Sequence, residues 1–297
     1  MPTPAHLAVL AETEGWHAAD LRRAAAAEGL RFDRVPWSAL RTLTGAEGRG
    51  VWAGGLRLDR LDVLMPRSLG PTSFERVVLR MDALHHLEAL GLRVVNRALA
   101  IEVSVDKWRA TQLLADAGLP VPPTSATQGA AEGLAMFEAL GGDVVLKPLF
   151  GAQGFGVVRV SDRVMAQRAL AQLDRMGAVA YQQAYIEHGH SDLRLFVVGD
   201  SVVASMRRLG RDWRCNVALG GDAEPARPGA EIENLALRAA RACRTELAGV
   251  DIVLREPDGQ PFVIEVNASP GWRKLAQVTG VDIASASIRR VLERRHA

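Results

Sequence analysis

The hydrophobic and polar positions of the first ninety-odd residues fall into two alternating patterns. Apolar runs of strand length, HLAVLAE, RFDRVPW and LDRLDVLMPR, are interrupted by the helical stretch ADLRRAAAAEG, which stops at Gly29. That βαβ rhythm predicts a small parallel sheet. From Ser73 to Leu90 the apolar positions Phe74, Val77, Val78, Met81, Leu84, Leu87 and Leu90 recur at threes and fours, which predicts one core-facing helix ended by Gly91. The run VVNRALAIEVSVDKWRATQLLADAGLPVPPT reads as a short strand followed by a helix from near Ser104 to Gly118, with Pro120, Pro122 and Pro123 leading out of it.

From Gly142 onward the pattern turns strand-rich: DVVLKPL, GVVRV, VAYQQAYI, DLRLFVVGDSVVASMRR and GVDIVL are separated by turn residues. Gly199-Asp200 predicts a tight antiparallel hairpin, since glycine supplies the positive φ such turns need. Helices are expected at about 162–176 and 231–247, and the chain closes with the helix ASIRRVLERR. The expected class is therefore α/β, becoming α+β in the C-terminal half. It divides into an N-terminal α/β lobe (1–98), a small central lobe (99–180) and a C-terminal antiparallel-sheet lobe (181–297).

Composition excludes several classes of function. The charge balance of 36 Lys+Arg against 34 Asp+Glu gives +2, too even to imply nucleic acid as a partner. Two cysteines, Cys215 and Cys243, are too few for a disulfide framework or a cysteine zinc site and fit a reducing compartment, so the cytoplasm is expected. No stretch approaches the ~18 apolar residues of a membrane span, and no targeting segment is recognisable.

Four stretches carry chemistry. In VVLKPLFGAQGFGVVRV, Lys147 ends a strand and Gly151, Gly154 and Gly156 form a turn whose backbone amides could cover phosphate oxygens, although a plain glycine-rich hairpin with a surface lysine reads equally well. In GVDIVLREPDGQPFVIEVNASPGW, Asp251 lies on one strand while Glu265 and Asn267, two apart, share a face of the next. Oxygen donors in that hairpin suit Mg²⁺, and in so apolar a run an unpaired carboxylate would be costly. The stretch SMRRLGRDWRCNVALGG supplies Arg207, Arg208, Arg214 and Asn216, a match for carboxylate or phosphate unless it is a solvated basic face. Asp106-Lys107 opens the central helix and Arg67 ends a strand; either reads as ordinary surface charge, and Arg67 taken alone reads more readily so. The two histidines of HGH at 188–190 lack a nearby third ligand, so no metal is expected there.

Taken together, VDKWRATQLLADAGLPVP, LKPLFGAQGFGVV, SDLRLFVVGDSVVAS, WRCN followed by Gly-Gly, and GVDIV with IEVNASPG resemble the ATP-grasp superfamily, and within it the RimK-like α-L-glutamate ligases. The resemblance runs through essentially the whole chain. It implies an ATP-grasp fold preceded by a parallel-sheet lobe, with ATP and two Mg²⁺ (or Mn²⁺) as cofactors. Lys107 and Lys147 would then contact phosphates under a flap containing Gly151, Gln153, Gly154 and Gly156. Gln183, Ala184 and Tyr185 would line the adenine pocket, and Asp192 would hold the ribose. Arg214 and Asn216 would handle the terminal phosphate, Asp251, Glu265 and Asn267 the metal ions, and Arg67, Arg207 and Ser269 the substrate carboxylates. Ala184 and Met206 depart from the glutamates that relatives carry at those positions, and the second departure bears on the acceptor.

The implied reaction activates a carboxylate as an acyl phosphate and couples it to L-glutamate, in an enzyme expected to be a dimer or tetramer. The acceptor is expected to be a small molecule or coenzyme such as a pterin or related C1 carrier, the alternative being a protein C-terminus or an amino-group carrier protein. Readings of another class are an ATP-grasp kinase that stops at phosphorylating a hydroxyl and a nucleotide-binding regulator without turnover.

Overall fold

A computed structural model describes residues 4–45, 49–70, 72–151, 156–215 and 221–293. The N-terminal lobe comprises β1 (His6–Leu10), α1 (Trp16–Ala27), β2 (Arg31–Val35), β3 (Arg41–Leu43), β4 (Gly50–Ala53), β5 (Leu56–Arg57), β6 (Val63–Pro66), α2 (Phe74–Ala89) and β7 (Arg93–Val94). Its main sheet has the order β2-β1-β6-β7 with every pairing parallel, as the βαβ rhythm requires. A small antiparallel sheet, β3-β4-β5, fills the loop before β6 and has no counterpart in the sequence reading. Helix α2 starts where the Ser73 hydroxyl accepts from the Arg76 amide, and it ends before Gly91, whose φ is 88°.

The central part holds α3 (Ala98–Val105), α4 (Lys107–Asp116), β8 (Thr124–Thr127), α5 (Ala130–Ala139), β9 (Val144–Lys147), β10 (Val158–Val160), α6 (Arg163–Arg175) and β11 (Ala180–Ala184). The four strands form the sheet β10-β9-β11-β8, and Phe137 of α5 and Leu170 of α6 bury against it. A single helix from near Ser104 was expected, but two are present, broken at Asp106. Its carboxylate accepts from the Arg109 amide at 3.0 Å and so starts α4, placing Lys107 in the first turn. Helix α3 escaped because ALAIEVSV is apolar nearly all round, which leaves no stripe to read. Helix α5 was missed as well.

The C-terminal lobe contains β12 (Ser191–Val198), β13 (Ser201–Leu209), β14 (Asp222–Pro225), α7 (Ala230–Ala242), β15 (Leu247–Leu254), β16 (Pro261–Asn267), α8 (Arg273–Thr279) and α9 (Ile283–Glu293). Its antiparallel sheet has the order β14-β13-β12-β15-β16, with the expected hairpin at Gly199, where φ is 60°. Helix α7 stops short of the expected 247, because Arg244 takes a positive φ of 58° and the chain turns into β15. Helix α8 was not foreseen.

One face of this sheet buries Leu195, Val250 and Ile252 under α7. The other shares a core with the N-terminal lobe, in which Phe196, Met206 and Trp272 meet Leu7, Val9 and Met65. Each fully buried side chain of this size contributes about 2 kcal/mol, so the shared core resists separation of the lobes. Asn96 pins the same junction. Its amide donates to the carbonyls of Leu247 and Ala268, both at 2.6 Å, and its oxygen accepts from the amides of Glu246 and Leu247. Asn96→Leu would strand these buried backbone groups and is expected to cost about 3 kcal/mol or more, read from denaturant unfolding. A loss within about 0.5 kcal/mol, typical of an indifferent surface position, would contradict this role.

Candidate active site

Strands β9 and β11 of the central sheet face β12, β13, β15 and β16 of the C-terminal sheet across a cleft of about 980 Å³. Lys107, Lys147, Gly151, Gln183, Ala184 and Tyr185 line the central side. Asp192, Arg208, Arg214, Asp251 and Glu265 line the opposite side.

Burial lowers the pKa of both lysines, Lys147 to about 8, while the nearby Glu265 carboxylate works the other way. Lys147 donates to the Gln183 side-chain oxygen, and the Gln183 amide donates to Thr124 at 3.1 Å, which fixes the direction of the ammonium. Lys107 donates to the Gly151 carbonyl at 2.8 Å and thereby touches the start of the glycine-rich segment. Two desolvated ammonium groups that have no carboxylate hydrogen-bond partner among the described residues suit a polyanion.

On the opposite wall, Asp251 and Glu265 are register partners on β15 and β16. Asp251 is buried and held by two guanidinium groups: Arg194 engages both of its oxygens, and Arg208 reaches it at 2.9 Å. Burial would raise its pKa, but the two arginines outweigh that and hold it below the ordinary carboxylate value. Arg208 also pairs bidentately with Asp192 at 2.5 and 2.6 Å. Gly249 makes room for this arrangement, since a Cβ there would stand 3.0 Å from both Arg194 Nη1 and Pro270 Cβ.

Asp251 and Glu265 offer the hard oxygen donors a divalent cation prefers, so the donor set fits such an ion. Among the described residues no group of three or more His, Cys, Asp or Glu side chains could hold a metal, so part of any shell would come from substrate phosphate and water. Asn267 is one step along the same face as Glu265 but does not line the cleft; its oxygen accepts from the Ser269 amide at 2.9 Å.

The expected substrate residues separate. Arg67 donates to the Pro270 carbonyl at 2.7 Å and lies over the Trp272 ring, and burial pushes its pKa down to about 10. Ser269, next to Pro270, has a buried hydroxyl with no hydrogen-bond partner among the described residues. These two therefore meet at the junction of the lobes. Arg207 does not join them, because strand alternation turns it away from the cleft that Arg208 lines, and its carboxylate neighbour is Glu224 at 3.8 Å.

Arg214 reaches the cleft rim while paired with Asp212 at 2.6 Å. The backbone amides of Ala184 and Tyr185 are spent on Pro123 and Asp143. Gly156 takes a φ of 73°, and Gln153, Gly154 and Asn216 lie outside the described residues. Sequence reasoning missed Arg194. The available signal was its spacing of two from Asp192 in an otherwise apolar strand, which puts both on one face.

With this geometry in hand, residues 104–291 match the family model described as the RimK-like ATP-grasp domain. The chain belongs to the RimK-like ATP-grasp family. It is 34% identical over 234 residues to a probable alpha-L-glutamate ligase of Haemophilus influenzae, covering 78% of this chain and 76% of that protein. It is 36% identical over 247 residues to the ribosomal protein bS6–L-glutamate ligase of Escherichia coli O7:K1, covering 82% and 80%. Among solved structures, the RimK domain ATP-grasp protein of Sphaerobacter thermophilus superposes with a TM-score of 0.74 at 26% identity, over 97% of this chain and all of that one. The ATP-grasp ligase PsnB, solved with a minimal precursor, gives 0.78 at 21% identity, over 99% and 100%, and bears on the fold alone.

The fold is thus ATP-grasp, and the RimK-like chain is an ATP-dependent ligase of the carbon–nitrogen-bond-forming class. No helix among the described residues is long and apolar enough to cross a membrane.

Proposed function

We propose that this RimK-like ligase uses ATP and Mg²⁺ to activate an acceptor carboxylate as an acyl phosphate, which the amino group of L-glutamate then captures. The observation that carries this reading is the juxtaposition of Lys147 with Asp251 and Glu265 across one cleft. A buried ammonium on one wall and paired oxygen donors on the other bracket a triphosphate from both sides. Glutamate as the amine is supported by relatives named glutamate ligases.

In this reading Lys107 and Lys147 hold the phosphates, and Gln183 aims Lys147. Asp251 and Glu265, with Asn267 behind them, would hold the metal, which when bound neutralises charge on the transferring phosphoryl group. Arg194 and Arg208 keep Asp251 ionised and oriented. Arg67 and Ser269 receive the carboxylate to be activated. Tyr185 and Gln183 sit at the base end, with the Arg159 guanidinium stacked on the Tyr185 ring. Arg214 borders the opening, and Asp192, tied to Arg208, couples the ribose end to the metal end. The two free cysteines fit a cytoplasmic enzyme, and we take it to work as a homo-oligomer.

For the acceptor we favour a small carboxylate-bearing molecule of the pterin-coenzyme kind over a protein C-terminus. Incubation with ATP, Mg²⁺, glutamate and a cell extract, followed by mass spectrometry, is expected to show glutamyl units added to one low-mass species, with ADP formed only when glutamate is present. ADP formation without any amine would favour a kinase instead.

The depressed pKa of Lys147 has a consequence for nucleotide binding. In the free site the lysine loses its charge as pH rises through about 8, whereas a bound phosphate favours the charged form. A nonhydrolysable ATP analogue is therefore expected to bind about tenfold or more weakly at a pH about two units higher than neutral, with proton uptake on binding. Titration calorimetry in buffers of different ionisation heat measures both. Constant affinity without proton uptake would contradict the role given to Lys147.

A further inference from the structure

A second cavity, of about 440 Å³, lies in the N-terminal lobe, and no step of the ligation proposed above uses it. It is lined by Trp37, Ser38, Leu40, Arg76, Leu79 and Arg80. Its walls sit at the C-terminal edge of the parallel sheet. Ser38 binds Glu12, just beyond β1, and Arg80 donates to the carbonyl of Leu69, just beyond β6. That edge is where open parallel sheets take their ligands.

The cavity is built around cations that no carboxylate among the described residues neutralises by contact. Arg80 is only 7% exposed, yet among the described residues it forms no ion pair and has one described hydrogen bond, to Leu69. Its guanidinium lies 5.3 Å from the centre of the Trp37 ring. Arg76, four residues earlier on the same face of α2, also forms no ion pair among the described residues. Trp37 is 2% exposed, and its indole N–H has no hydrogen-bond partner among the described residues. The carboxylate whose field reaches Arg80 is that of Glu12, but its oxygens are engaged by the Ser38 hydroxyl and amide at 2.5 and 3.2 Å. A buried guanidinium of this kind would be costly to keep unless an anion completes it.

The cavity is joined by one short loop to the Arg67–Ser269 junction of the lobes, where the ligase reading places the reacting carboxylate. Leu69, which receives Arg80, is two residues past Arg67, and Arg67 in turn grips Pro270 beside the unpartnered Ser269 hydroxyl. We propose that the Arg76–Arg80–Trp37 cavity is a distal anion subsite for the acceptor. It binds a carboxylate other than the one activated, so the acceptor is an extended, carboxylate-rich molecule. This rests on the ligase reading above, in which Arg67 and Ser269 receive the reacting carboxylate. Planar guanidinium groups pair bidentately with carboxylate, and the exposed apolar residue Leu79, which lines the cavity, offers the acceptor's carbon skeleton a surface beside them.

The test uses the full-length protein and two uncharged-versus-charged probes, tri-α-glutamate and triglutamine, titrated calorimetrically at low salt. Tri-α-glutamate is expected to bind at least about tenfold more tightly than triglutamine. Arg76→Gln, an exposed change that the fold tolerates, and Arg80→Lys, which keeps the charge but removes the fork, are each expected to weaken tri-α-glutamate about fivefold or more. The unfolding midpoint and the affinity for a nonhydrolysable ATP analogue, measured alongside, report on the fold and on the catalytic cleft separately. No binding of tri-α-glutamate, equal binding of the two peptides, or unchanged affinity in both variants would overturn the proposal. So would a result in which inorganic phosphate alone loses affinity in the variants, which would assign the cavity to a phosphate group instead. Because none of these readouts needs turnover, failure here is distinguishable from ADP release that proves independent of glutamate, which would sink the ligase reading itself.

Discussion

Replacing Glu265 by Ala is expected to lower ADP release by at least about a thousandfold while leaving the unfolding midpoint nearly unchanged, and Lys147→Ala is expected to do the same. The two side chains sit on opposite walls of one cleft, on different sheets, and both are partly or wholly withdrawn from water. Removing Glu265 takes away a hard donor beside Asp251, whereas removing Lys147 takes away the buried positive charge opposite. Neither side chain belongs to the large apolar cores, so the fold loses little. Steady-state ADP formation with the identified acceptor, together with thermal unfolding, measures both effects. Full turnover in Glu265→Ala would remove the metal role assigned to this wall.

The second large effect is on stability. Arg208 is 5% exposed and bridges Asp192 and Asp251, so Arg208→Met leaves two buried carboxylates with Arg194 as the remaining guanidinium partner. Breaking such a network by removing one partner costs about 3–5 kcal/mol, far more than the loss of a surface pair. The sign of the pH response follows from the shifts. In the wild type, Asp251 is held below its ordinary pKa, so its contribution is present above that value and is lost as pH falls through the folded pKa. Burial already holds Asp192 above its ordinary value, and Arg208 is the main group opposing this, so without Arg208 the Asp192 carboxylate rises further and its penalty is present at neutral pH and relieved by acid. Urea unfolding of the variant should therefore show a deficit that shrinks on mild acidification. A deficit independent of pH would mean that Arg208 acts through packing rather than charge.

Much of this arrangement was legible because strand alternation and turn chemistry are local. Glu265 and Asn267 two apart, Asp251 on the preceding strand and Gly199 at the hairpin needed no tertiary knowledge to place. What escaped depended on tertiary surroundings. Helix α3 packs its buried residues within a run that is apolar nearly all round, so it showed no stripe. Arg194 was not singled out, because its partner Asp251 comes opposite it only through the pairing of β12 with β15. Arg207 and Arg208 are adjacent in sequence and indistinguishable by composition, yet the pleat sends one to the cleft and the other toward Glu224. Asn96 could not be singled out at all, since the backbone groups it satisfies lie about 150 and more residues further along.

Everything proposed for the cleft converges on transfer of a phosphoryl group to a carboxylate before the amide forms. The measurement that tests this most directly uses the acceptor found by mass spectrometry, with its reacting carboxylate labelled with heavy oxygen. After turnover with ATP, Mg²⁺ and glutamate, the account predicts one labelled oxygen in the released phosphate for each amide made. Amide formation with unlabelled phosphate would contradict it.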